Sequence, residues 1–90
     1  MRAVEVRYFA AAADAAGRDH ETIEFPPKSN LRALRDELVD RYGGRMEQVL
    51  AVAAFLVEPT GAGSDDGTLT RDLGDPLGRR VDVLPPFAGG

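Results

Sequence analysis

Between Arg2 and Phe9 the side chains alternate, with Val4, Val6 and Tyr8 on one parity and Glu5 and Arg7 on the other. A period of two marks a strand with one buried face, so the chain opens on a strand. Parity sets Phe9 apart from the inward residues of that strand. Ala10 to Ala16 is small and helix-permissive without a wide apolar stripe, and Gly17 with Asp19 follows it. That stretch predicts a short helical turn or a loop. Alternation returns over His20 to Phe25, where Ile23 and Phe25 oppose Thr22 and Glu24. This second strand is hairpinned to the first, and Pro26-Pro27 stops it because proline has no amide hydrogen for the ladder.

The period then changes. Leu31, Leu34, Leu38 and Tyr42, with Val39 beside them, recur at helical offsets, while Arg32, Arg35, Asp36, Asp40 and Arg41 fill much of the rest. The spacing predicts an amphipathic helix over 31–42, capped by Ser29 or Asn30 and closed by Gly43-Gly44. From Arg45, the spacing of Met46, Val49 and Leu50 predicts a helical turn. A buried third strand from about Ala53 to Glu58 comes next. Pro59 to Gly67 reads as a loop rich in glycine and aspartate. Thr68 to Thr70 reads as a brief strand, Leu73 and Leu77 as anchors of the turn at Asp75-Pro76, and Arg80 to Leu84 as a last strand. In that strand Val81 and Val83 share one face, and Asp82 and Leu84 the other.

Two strands, a helix and then further strands are compatible with one mixed sheet covered by one main helix, an α+β layer pair. Val4, Val6, Tyr8, Ile23, Phe25, Leu31, Leu34, Leu38, Val81 and Val83 should form its core. The division expected is a domain over 1–84 and an extended tail over 85–90. Such a sheet has one covered and one open face, and large apolar residues on the open face need a partner to explain them.

Ninety residues suffice for one small core and no more. Of the 11 basic and 15 acidic residues, eight of each sign lie up to Arg45, so the whole excess of −4 falls in the C-terminal half. No basic face is expected, which argues against nucleic acid and favours a partner with a basic docking surface. Cysteine is absent and His20 is the only histidine. Disulfides, thiolate chemistry, His-based triads and the common zinc frameworks are therefore excluded, and no metal site is expected. Asp65-Asp66-Gly67 reads as a solvated turn and His20 as a surface strand residue. No apolar run approaches a membrane span, and the alternating N-terminus does not read as a signal core, so the expected setting is the cytoplasm.

After Leu84 the sequence runs Pro85-Pro86-Phe87-Ala88-Gly89-Gly90. Prolines hold the start extended, and six residues at about 3.1 Å each reach roughly 19 Å. A tip of two glycines has no side chain to stop it entering a narrow channel and bringing an α-carboxylate to a reactive centre. A chance Gly-Gly ending is expected in roughly one chain in 200, so the tip alone decides little.

The opening Val4-Glu5-Val6-Arg7-Tyr8-Phe9-Ala10, the Gly17 turn, the strand to Phe25-Pro26, the helix to Tyr42 and the run Val81 to Gly90 together resemble the small subunit of molybdopterin synthase. That is the MoaD family, grouped with ThiS-type carriers among ubiquitin-like β-grasp proteins. The resemblance spans nearly the whole chain, and Pro-Pro-x-x-Gly-Gly is its most specific part. It departs at the Pro59 to Gly67 loop, where the family often has a short Asn-Gly turn, and at Leu77-Gly78-Arg79-Arg80, where an acidic turn is usual.

What the resemblance implies is a sulfur carrier. Gly90 matches the residue whose carboxylate is adenylated at the expense of ATP by an E1-like (MoeB-like) enzyme and becomes a thiocarboxylate. A sulfur donor enzyme then supplies the sulfur. A MoaE-like large subunit uses it to build the molybdopterin dithiolene. Gly89, Ala88, Phe87, Pro86 and Pro85 would thread the tail, and Phe9 and Leu84 match positions that contact the large subunit. No bound cofactor and no membrane partner are implied. The chain offers no nucleophile, metal or base of its own, so catalysis would belong to the partners. Three other readings stay open: a ThiS-like or cysteine-synthesis carrier, a ubiquitin-like modifier joined through Gly90 to a target lysine, and a plain interaction module.

Overall fold

The computed structural model describes residues 1–59 and 67–86. The elements follow the order β1 (Arg2–Tyr8), α1 (Ala11–Ala16), β2 (His20–Phe25), α2 (Leu31–Tyr42), α3 (Gly44–Val52), β3 (Ala54–Glu58), β4 (Thr68–Thr70) and β5 (Arg80–Leu84). They build one mixed sheet in the order β2-β1-β5-β3-β4. β1 pairs antiparallel with β2 and parallel with β5, and β3 runs antiparallel to β5 and β4. The α+β layer pair expected from the sequence is therefore present, with helices on one face.

Register explains which residues are buried. Val6 lies opposite Val81, Tyr8 opposite Val83 and Val4 opposite Ile23, so the inward rows of three strands coincide. All ten residues assigned to the core from the alternation are buried. Phe55, Met46, Leu50, Ala12 and Leu77 join them. α2 begins at Asn30, whose Oδ1 accepts from the Ala33 amide at 3.1 Å, while Ser29 turns its hydroxyl to the Pro26 carbonyl. The next free amides of that helix, Leu31 and Arg32, donate to the Asp75 and Leu73 carbonyls. The β4–β5 connection is thus stitched to the helix N-terminus, which leaves no orphan donors there.

One open choice is settled and one expectation needs correction. The choice between a short helical turn and a loop after Phe9 falls to a six-residue helix, α1, in which Ala12 and Ala16, four residues apart, both reach the core. The turn expected after Arg45 is a nine-residue helix, α3, which buries Met46 and Leu50 against the rest of the layer. α2, the longest of the three, is the one main helix expected, and α1 and α3 pack in the same layer beside it. Gly43 alone breaks α2 from α3: its φ of 82° with ψ of −161° is an extended positive-φ conformation open almost only to glycine, and Gly44 is already helical. Composition hid both helices, since neither carries a wide stripe.

Gly78 is fixed by contact. A Cβ there would lie 1.9 Å from the Glu58 carbonyl oxygen, inside the turn that lets the Arg79 amide donate to the same oxygen at 2.9 Å. Gly78→Ala should therefore cost about 2 kcal/mol by forcing β3 and the start of β5 apart. Urea denaturation checks this; an unchanged midpoint would mean that the turn can shift freely.

Candidate functional site

β5 is the middle strand of five, held by β1 on one side and β3 on the other. It delivers the chain to Pro85, which is buried, and Pro86, which is exposed. Both prolines line a shallow cleft of about 300 Å³ with Ala11, Val49 and Val52, walled by Arg45 and Gln48. The root of the tail is thus anchored. Phe87, Ala88, Gly89 and Gly90 lie outside the described residues. A larger cleft, about 450 Å³ between Val57, Thr70 and Leu77, sits at the other end of β5 from the tail root.

Phe9 follows the last residue of β1, 36% exposed, and Leu84 ends β5, half-buried opposite Ala54. The register that pairs Tyr8 with Val83 brings these two strand ends side by side. The backbone turns sharply at Ala10, at a φ of 51° that side chains rarely accept, and this directs the chain away into α1. On the open face a cross-sheet row then reads His20, Arg7, Asp82, Leu56 and Leu69. Leu69 is 65% exposed, so the apolar surface runs on from Leu84 toward the β4 edge.

Asp82 is the buried acid of this face. Arg7 donates to it from Nε and Nη2, each at 2.7 Å, a bidentate pair that fixes the guanidinium plane. The same guanidinium stands 5.7 Å from the centre of the Phe9 ring, within cation–π reach. Below, Arg79 and Arg80 both donate to Glu58, and the Arg79 hydrogen bond, followed by the charge of both arginines, holds the Glu58 carboxyl below its ordinary range.

A second polar cluster lies at the inner edge of the sheet. Glu21 shares the inward parity of Ile23, and its carboxylate accepts from the Tyr8 and Tyr42 hydroxyls and pairs with Arg18 and Arg41. The tyrosine rings meet edge to face at 6.3 Å. Burial pushes the Glu21 carboxyl up, but the two hydroxyls and the two guanidiniums outweigh it, and the net shift is down. A lowered folded-state value means stability that is present above the ordinary carboxylate pKa of 4.5 and lost as pH falls through the folded value. Glu21→Gln should flatten the acid limb of the stability profile below about pH 4.5, read by thermal melts across pH. A limb as steep as in the wild type would place the titrating group elsewhere.

Sequence reasoning missed Glu21, the Arg7–Asp82 pair, Leu56 and Leu69. Glu21 falls on the inward parity of its strand, which was a usable signal. The leucines interrupt a short apolar run and a Thr-Leu-Thr triplet, where parity cannot be assigned without the partner strand. Among the described residues no cluster of His, Cys, Asp or Glu is arranged to hold a metal, and no helix is long and apolar enough to cross a membrane.

The mixed sheet, its covering helices and the parallel pairing of first and last strands define the ubiquitin-like β-grasp class. No protein-family model matches the chain, and no curated protein matches it. Solved structures do. A Pyrococcus furiosus protein provisionally named molybdopterin converting factor, subunit 1, is 26% identical, with a TM-score of 0.70 over 97% of this chain and 100% of its own. SAMP1 from Haloferax volcanii is 18% identical, with a TM-score of 0.71 over 98% and 99%. A second structure of that organism's small archaeal modifier protein 1 is 16% identical, with a TM-score of 0.70 over 97% and 100%. These neighbours match the resemblance drawn from the sequence, that of a MoaD-type ubiquitin-like sulfur carrier.

Proposed function

We propose that the chain is the sulfur-carrying small subunit of a molybdopterin synthase, charged at Gly90. The observation that carries this reading is the whole-length likeness, at 26% identity, to the converting-factor subunit. The tail chemistry supports it. A carboxylate is a poor acyl donor until one oxygen becomes part of a leaving group. Attack of the Gly90 carboxylate on the α-phosphorus of ATP expels pyrophosphate and gives an acyl adenylate. Hydrosulfide delivered by a donor enzyme then attacks the acyl carbon, the carbon–oxygen bond to the phosphate breaks so that AMP departs with one former carboxylate oxygen, and loss of the S–H proton leaves the thiocarboxylate. The E1-like (MoeB-like) enzyme supplies that activation, and a MoaE-like large subunit consumes the thiocarboxylate in building the dithiolene. The anchored Pro85 sets the base from which Pro86 to Gly90 would reach their sites.

Intact-mass analysis of the chain purified from its native host tests this. One oxygen replaced by sulfur adds about 16 Da, lost again on incubation with the large subunit and its pterin substrate; a chain that never gains this mass in an active host removes the carrier role.

The likeness to small archaeal modifier proteins favours a second reading, conjugation through Gly90 to a lysine of a target. Lys28, the only lysine, is exposed in the turn after β2, so chains of this protein would branch there alone. Digestion of host proteins that yields a tail remnant on their lysines would select this reading.

A further inference from the structure

The alternation of β5 does not stop where its ladder does. Val81 and Val83 are buried, Leu84 is half-buried, Pro85 is buried again and Pro86 is exposed. Leu84 and Pro85 each precede a proline, which keeps both extended, so the period of two is carried past the last strand pair. The next residue of inward parity is Phe87. Inward means toward the helix layer, and at this point the layer is open. The cleft of about 300 Å³ at the tail root takes its apolar lining from Ala11, Val49 and Val52. Val52 ends α3 at 52% exposed, and among the described residues it is the one large apolar side chain of the three helices left uncovered. Pro86, the residue bonded to Phe87, is itself part of the cleft wall.

We propose that in the free chain the ring of Phe87 seats in this cleft against Val49 and Val52, so that the tail leaves the domain at Ala88 and not at Pro86. The chain's own residue is the occupant best placed to fill it. Joined by a single peptide bond to a wall of the cleft, the ring meets it at an effective concentration that no separate ligand reaches. A seated phenyl takes from water the valine that α3 exposes, and Arg45 on the wall offers a guanidinium to the ring face. Seating also shortens the tail. Three free residues at about 3.1 Å each give the tip roughly 9 Å of reach, half of the roughly 19 Å open to the whole tail. Delivery of Gly90 into a channel deeper than that requires the ring to leave its seat. The receiving partner drives this step by offering the ring an apolar site of its own. Only the release step, which takes the large synthase subunit as that partner, rests on the carrier reading; the seat does not.

Nuclear Overhauser contacts in the full chain test the seat. Cross-peaks are expected from the Phe87 ring to the methyls of Val49 and Val52, with ring signals displaced from those of an unstructured phenylalanine. Val52→Glu, at a position already half open to solvent, should erase the Val49 cross-peaks and leave the core spectrum and the melting curve in place. A ring with unstructured shifts and no contact to α3 overturns the seat. Contacts to Phe9 or Leu84 in their place overturn it too, because they put the ring on the open face. Phe87→Trp gives a second reading, since the chain has no tryptophan of its own. Acrylamide should quench that tryptophan several-fold less than in the same variant carrying Val52→Glu, and equal quenching in the two folded proteins would overturn the seat. Addition of the purified large subunit should then remove the contacts to Val49 and Val52; contacts that persist in the complex overturn the release step. A chain that shows the seat but binds no large subunit brings down the carrier reading and the release step together, and leaves the seat standing.

Discussion

Deletion of Gly90 should abolish sulfur loading and leave the melting temperature where it was. The last ladder pairing of β5 is at Leu84 and, among the described residues, the last buried one is Pro85, so the deletion touches no described hydrogen bond of the fold. It does move the acyl carbon. A chain shortened by one residue ends about 3.3 to 3.6 Å earlier, and a misplacement of only about 1 Å already costs an enzyme on the order of a hundredfold. Extension by one residue should be as damaging, because the carboxylate is then carried past the activating centre. Intact mass and a melting curve on the same preparation give the answer. Thiocarboxylate on the shortened chain, at wild-type yield, would sink the assignment of Gly90.

The largest loss of stability should come from Leu34→Ala. Leu34 is fully buried on the inner face of α2, between Leu31 and Leu38, and its neighbours belong to a core that β1 and β5 hold in register. Such a site cannot collapse around the void, so the cost should be about 3 kcal/mol or more. For a domain of this size that lowers the melting temperature by roughly 15 °C. A change below about 0.5 kcal/mol would mean that the helix turns another face to the sheet.

Patterns of period two and of about 3.6 were enough to place β1, β2, α2 and β5, because each buries one side and exposes the other over a full run. Val4, Val6 and Tyr8 against Glu5 and Arg7 are an example. α1 and α3 were less visible: alanines and a single Met-x-x-Val-Leu step do not separate a turn from a helix until neighbours bury them. The tail was legible as chemistry and the fold only as a class. Asp82 shows where reading by residue type fails. Its outward parity was correct, and an outward aspartate is ordinarily solvated. The arginine that covers it is 75 residues earlier in sequence, brought alongside only by the parallel pairing of β1 with β5.

That parallel pairing has a mechanical consequence. Arg2 starts β1 at one end of the sheet, and Leu84 leaves β5 at the other, so a pull on the tail against the N-terminal strand slides the two strands past each other lengthwise. Every bond of the ladder then bears load at once, instead of opening one after another as in a zipper, and β3 on the far side of β5 adds a second ladder loaded in the same way. An enzyme that grips and draws the tail into a channel would therefore extend the tail long before it unravelled the domain behind it.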